Sequence, residues 1–176
     1  MSIEKSHHSF EEVSPAFKNE IQEWTVLENV AIFLVRFNKA SANQVLSNAD
    51  ELADLTSAIR TSVIPKILNT PSIKARIMIL HNEALRLEDM NKIPAITAEE
   101  VHEQINKVID AYSSLNSKVN TVFRKKRFED AIDVDVSFIG LDTTKIDSVS
   151  KKTIDTILRN NSPKPVIFKN KNRKRQ

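Results

Sequence analysis

A single glycine, Gly140, is present in this chain of 176 residues, where average usage of about 7% would place roughly twelve. Glycine supplies positive φ in tight turns and lets backbone approach a phosphate closely. A chain nearly without it has no Gly-rich loop to cradle a nucleotide, and it is poorly suited to a parallel α/β sheet or to a series of tight hairpins. Helices joined by Pro, Asn and Ser turns remain. The expected fold is all-α: an antiparallel bundle of about four main helices, followed by a C-terminal extended segment and a short helix.

Four segments carry the helical pattern. The first opens at Ser14-Pro15, a cap residue followed by a proline suited to the first helical position. Phe17, Ile21, Trp24, Leu27, Ala31 and Leu34 follow at steps of three and four, and Ile32, Phe33, Val35 and Phe37 widen the apolar face. That width predicts a central helix, buried on most sides, ending near Asn38–Ala40. The second runs from about Ala42 to Ile64, with Ser41 and Gln44 as a capping box and Val45, Ala49, Leu52, Thr56, Ile59 and Val63 as its stripe. Pro65 ends it. The third starts at Thr70-Pro71, with Ile73, Ile77, Leu80, Ala84 and Leu87 facing inward. The fourth has a capping box of Thr97 and Glu100, with Ile96 and Val101 at the staple positions. Its stripe, Val101, Ile105, Val108, Tyr112, Leu115, Val119 and Val122, alternates steps of four and three like a coiled-coil seam. The short connection from Asn91 to Ile96 makes the third and fourth helices antiparallel neighbours.

The ends read differently. Residues 1–13 are polar and are taken as a mobile lead-in, which leaves 14–159 as the bundle domain and 160–176 as a disordered basic tail. After the basic cluster Arg124–Arg127, the residues Ile132, Val134, Val136 and Phe138 alternate with polar ones, which suggests extended chain. Asp142 is placed to cap a last short helix. The tail carries Lys164, Lys169, Lys171, Arg173, Lys174 and Arg175 with no acid. Removing those six cations turns the net +3 of the chain into −3 for the rest, so the basic balance belongs to the tail. These six residues are the candidate contacts to an anionic surface such as phosphate, lipid headgroups or RNA. No run approaches the roughly 18–20 apolar residues of a membrane span, and a soluble chain is expected.

No catalytic, cofactor-binding or metal-binding residue is assigned. The chain has no cysteine, which removes thiolate zinc sites and cysteine nucleophiles. His7 and His8 are adjacent near the terminus and are read as part of the lead-in. Counted from Pro94, His81 and His102 lie 13 and 8 residues away, a mismatch of about 7 Å along antiparallel helices, so a shared metal is not expected. Glu99 and His102 give one Glu-x-x-His spacing, where a di-iron bundle needs two. Glu83, Glu88 and Asp89 read as surface partners of Arg and Lys. Trp24 is expected in the core. Tyr112 lies on the seam, so its hydroxyl needs a partner, and a small internal pocket could form around it.

The phrases FKNEIQEWTVLENV, LSNADELADL, SVIPKILNTPSIKARI, LHNEALRLEDMNKIPAITAEEVHEQINKV and LNSKVNTVF, between about residues 17 and 123, resemble small uncharacterised exported lipoproteins of the Bacteroidetes kind. The resemblance implies a helical protein with a Lys-rich C-terminal end. It also implies a cell-envelope location, lipid-anchored on the periplasmic side once a leader is removed; without it the expectation is cytoplasmic. It brings no functional motif. The function expected is non-enzymatic: a helical bundle that presents a face or groove to a protein partner, as an accessory subunit. The alternatives are a ligand- or metal-sensing bundle with a pocket between helices, and a nucleic-acid-associated protein acting through its basic tail.

Overall fold

The computed structural model describes residues 3–132. In order these are strand β1 (Glu4–Ser6), a 3-10 helix (Pro15–Ile21), α1 (Thr25–Val35), strand β2 (Lys39–Ser41), α2 (Ala42–Ser47), α3 (Ala49–Thr61), a 3-10 turn (Lys66–Leu68), α4 (Pro71–Met90) and α5 (Ala98–Ile132). The expected all-α bundle is what forms. The candidate surface contacts Lys164, Lys169, Lys171, Arg173, Lys174 and Arg175 lie outside the described residues, as do the alternating segment beyond Ile132 and the short helix expected at Asp142. The described residues up to Asp130 belong to one compact unit, and the hydrophobic core lies within it.

The capping chemistry sets the helix starts. Glu100 N–H donates to Thr97 Oγ1 at 3.3 Å, and Thr97 N–H donates to Glu100 Oε2 at 2.9 Å. Thr97 Oγ1–H also donates to Glu100 Oε2 at 2.6 Å, and this bond, with that from the Thr97 amide, holds the Glu100 carboxyl below its usual range. Ser41 and Gln44 form the same reciprocal box at the start of α2. Thr70 Oγ1 accepts from Ile73 N–H at the start of α4. Each such bond satisfies a backbone donor that the helix geometry leaves without a partner.

α4 and α5 form an antiparallel hairpin. Arg76 on α4 donates to Ser114 on α5, while Gln104, ten positions back along α5, donates to the Glu83 carbonyl, seven positions on along α4. Ile73, Ile77, Leu80, Ala84 and Leu87 are buried on α4, and Val101, Ile105, Val108, Tyr112, Leu115 and Val119 on α5. The predicted stripes are therefore the real core faces. At the end of the α5 seam Phe123 is the buried residue, with Val122 only partly so.

Elsewhere the expected helices break. The segment predicted as 42–64 divides at Asn48, whose side-chain amide donates to the Gln44 carbonyl at 2.6 Å while Ser47 Oγ donates to the same oxygen. Side chains that bond locally to backbone compete with the helical ladder, and α2 ends there. α3 restarts at Ala49 and stops at Thr61, so Val63, predicted to face the core, is 92% exposed. The first predicted helix also divides. Ser14 makes no side-chain cap, Pro15 opens a 3-10 helix, and the chain leaves helical geometry at Trp24 (φ −99°, ψ 56°) before α1 begins. α1 buries Leu27, Val30, Phe33 and Leu34, but Ile32 and Val35 are exposed by 62% and 53%. This helix is less central than its composition predicted, because no described element covers that side. α5, for its part, runs through the basic cluster Arg124–Arg127 as far as Ile132, the first residue of the alternating pattern.

The largest correction concerns residues 1–13, expected as a mobile lead-in. β1 pairs antiparallel with β2, with Lys5 opposite Ala40. The chain then runs along α5 in the same direction as the helix. Lys5 Nζ donates to Glu99, His8 N–H to Asn106, Glu11 N–H to Ser113 and Ser14 N–H to Asn120. From Lys5 to Ser14 the segment advances nine residues while its partners advance 21. At roughly 3.4 Å per extended residue and 1.5 Å per helical residue, both spans come to about 31 Å. The segment is an extended strap in register with α5. Its composition concealed this because its adhesion is polar.

Candidate functional site

Three elements that differ from the sequence expectation, the strap, the 3-10 helix and the open side of α1, enclose a cleft of about 430 Å³. Phe10 and Val13 come from the strap, Ile21 and Trp24 from the end of the 3-10 helix and the residues after it, Leu27 and Ala31 from α1. Tyr112 and Asn116 of α5 complete it, and Ile32 and Val35 extend the apolar wall to the edge. Phe10 meets the Tyr112 ring edge-on at 5.1 Å, one of the arrangements that aromatic quadrupoles favour. The volume lies within the range of small-molecule sites, about 300–1,000 Å³.

Tyr112, Trp24 and one N–H of the Asn116 amide each have a partner in this lining. Tyr112 donates its single phenolic proton to the Leu27 carbonyl at 2.8 Å. Trp24 Nε1–H donates to Ser62 Oγ at 2.9 Å. Asn116 Nδ2 donates to the Glu11 carbonyl at 2.7 Å, and that contact fixes the orientation of the amide, because a flipped amide would set oxygen against oxygen. Asn116 Oδ1 is consequently left buried without a hydrogen-bond partner, the only such side-chain atom among the described residues. An unmade hydrogen bond of this kind costs about 1–3 kcal/mol. The residue itself is 1% exposed.

The charge of the lining is negative. Glu12 and Glu28 stand against Lys18, whose Nζ lies 4.0 Å from Glu12 Oε2 in a loose, exposed pair. Burial, with the Glu12 and Glu28 carboxylates adding to it against the opposing Asn116 amide, pushes the Tyr112 phenol up to about 12. The phenol is therefore neutral at physiological pH.

The strap that forms one wall is latched by a histidine pair. His7 Nδ1 lies 2.6 Å from the Phe37 carbonyl and must carry its proton there. With His7 neutral, its Nε2 accepts from His102 Nδ1–H at 2.8 Å. His8 Nδ1 lies 2.9 Å from Asp110 Oδ1. The sequence reading placed His7 and His8 in a loose end and His102 at a core boundary, and it missed the pairing. A signal was present: Glu99, His102, Asn106, Asp110, Ser113, Asn116 and Asn120 form a second, polar stripe on α5 at steps of three and four. His81 sits apart, 3.1 Å from Thr56 Oγ1 on α3.

Trp24 is in the core as expected, and so is the Tyr112 ring. Glu83 pairs with Arg86, and Glu88 and Asp89 with Lys92, as ordinary helix-surface contacts. Glu99 pairs with Lys5 rather than with His102. Among the described residues no group of three His, Cys, Asp or Glu side chains is arranged to hold a metal ion, and no helix is long and apolar enough to cross a membrane.

Fold and site together define a helical bundle with a strap-walled cleft. No protein-family profile, curated protein or solved structure matches the chain.

Proposed function

We propose that the protein is a non-enzymatic, ligand-binding helical bundle whose cleft takes up a small molecule with an apolar body and a hydrogen-bonding head. The observation that carries this reading is the cleft itself, a space of about 430 Å³ walled by Phe10, Val13, Trp24, Leu27 and Tyr112 with polar side chains at its edge. Concave sites of this size, lined by apolar and aromatic side chains with a few polar groups, are the usual form of small-molecule sites. Binding rather than turnover fits the lining, where the one buried titratable group, Tyr112, has its proton committed to a backbone carbonyl. A protein-docking face has less support. The exposed apolar side chains of the described residues, among them Val63, Met78, Ile79, Ile93 and Phe128, come from separate parts of the chain, and single exposed apolar residues are ordinary.

The test uses N-phenyl-1-naphthylamine, a fluorescent apolar probe with one N–H donor. It is expected to bind saturably with one site per chain and to quench Trp24, the only tryptophan. Ala31→Phe, which fills the cleft from α1, is expected to abolish that binding while leaving the helical far-UV spectrum intact. Probe binding unchanged in Ala31→Phe, or no saturable binding to the unmodified protein, overturns the proposal.

A further inference from the structure

The exposed positions of α1 and its C-terminal cap are Thr25, Glu28, Asn29, Ile32, Val35 and Arg36. They recur at helical spacing and form one face. Its centre is apolar, with Ile32 and Val35 both more than half exposed. We infer that this face is the contact between two copies of this chain, with their α1 helices antiparallel about a two-fold axis at Ile32. The contact is separate from the cleft reading and does not depend on it.

The charges around Ile32 select a second copy as the occupant. Glu28 lies four residues before Ile32 and Arg36 four residues after it. At 1.5 Å per residue each is about 6 Å along the axis from Ile32, in opposite directions. A two-fold axis at Ile32 reverses the second helix. It therefore sets Glu28 of each copy beside Arg36 of the other, and one surface yields two opposite-charge pairs. A parallel arrangement would set Glu against Glu and Arg against Arg. Positions 28, 32 and 36 also form a single ridge at steps of four, and two such ridges interdigitate in the commonest class of helix packing.

Both charged groups are open to this pairing. Glu28 enters no ion pair among the described residues. Arg36 makes a long contact of 3.9 Å to Glu51 Oε2, with both side chains exposed. Its guanidinium stands over its own Phe33 ring and has donors to spare.

The shape has the same symmetry. Ile32 borders a depression of about 150 Å³ between α1 and α3, lined also by Asn29, Arg36, Glu51 and Leu55. A two-fold contact places Ile32 of each copy in the depression of the other. Another protein would have to bring a matching ridge and hollow, whereas a second copy brings both by construction. One helix face and its flank fall in the small class of interfaces, below about 1,200 Å², so the dimer is weak and reversible, half-formed at roughly 50 µM.

The experiment is sedimentation velocity of the full chain at low salt, from about 5 to 500 µM, where a weak dimer shows by mass action. The parent is expected to shift from monomer to dimer across that range. Ile32→Glu, which buries a charge at the axis, is expected to weaken association at least about tenfold, while Ile79→Glu, the same charge on the exposed side of α4, leaves it unchanged. Glu28→Arg sets Arg against Arg and Arg36→Glu sets Glu against Glu, so each variant alone is expected to stay monomeric. An equimolar mixture of the two restores both pairs and is expected to associate at least as tightly as the parent. All four substitutions are exposed, and an unchanged far-UV spectrum checks that each variant is folded. A parent that stays monomeric to about 500 µM, an Ile32→Glu protein that dimerises like the parent, or a mixture no more associated than its components overturns the inference, and something other than a second copy then covers the face.

Discussion

Along one side of α5, Ile105, Val108, Leu115 and Val119 are fully buried against the core. Along another, His102, Asn106, Asp110, Ser113, Asn116 and Asn120 are hydrogen-bonded to residues 7–14 of the strap. The seam is held by apolar burial, worth about 25 cal/mol per Å², which is non-directional and insensitive to proton concentration. The strap is held by directional bonds, each of which exchanges with water for a small net gain of about 0.5–1.5 kcal/mol. Only Phe10 and Val13 anchor it hydrophobically. One helix thus carries a robust interface and a conditional one, and the cleft is walled partly by the conditional one.

The sharpest way to break the comparison is on the seam. Leu115→Ala is expected to lower the unfolding free energy by about 2–5 kcal/mol, as a fully buried leucine does. A loss under about 0.5 kcal/mol in urea would mean that the seam is not the core.

A smaller effect is expected on the strap side. Asn120 accepts from Ser14 N–H at 2.8 Å and donates to the Glu12 carbonyl at 3.0 Å. Asn120→Ala strands both backbone groups, and a loss of about 1–3 kcal/mol follows. Hydrogen exchange should quicken at Ser14 far more than at Leu115, because the damage is local. Equal acceleration at both amides would show that strap and seam open together.

The smallest effect separates the two sides by pH. Burial, and then the His7 and Lys5 charges, lower the pKa of His102 below its ordinary 6.5, with Glu99 opposing. The folded state thus takes up protons less readily than the unfolded chain. Stability from this group is full above about pH 6.5 and declines as the pH falls below it. Full protonation of both rings would also set N–H against N–H between His7 and His102. His81, lowered by burial and then by Arg60, acts in the same sense on the α3–α4 side. Lowering the pH from about 7 to 5 is expected to loosen the strap first, seen as lower protection factors at the hydrogen-bonded amides of His8 and Glu11 while those of the α5 seam are unchanged. His102→Asn, which cannot take up a proton, should flatten that part of the profile and leave the His81 part. A profile identical in the variant and the parent would detach the latch from His102.

Much of the fold could be read in advance where periodicity and capping agree. α4 and the seam of α5 have strong starts, unbroken steps of three and four, and a short connection, and local preference and burial point the same way there. Asn48 was harder, since the residue that breaks the predicted second helix sits within an intact apolar stripe and acts through a bond to Gln44. The strap was harder still. His7, Phe10 and Val13, its least exposed positions, recur every third residue, which matches neither a strand nor a helix. Tyr112 was recognised as needing a partner, but Leu27 lies 85 positions away in sequence.

Scarce glycine, proline at helix starts, two capping boxes and the apolar stripes determined by themselves that this chain forms helices and which faces they bury. These are local effects, set within a turn or two of chain. The strap on α5, the exposed side of α1 and the partnerless Asn116 oxygen were decided only by the tertiary structure. Each depends on a polar or steric match between segments about a hundred residues apart, and a hydrogen bond leaves no periodic trace in either partner's sequence.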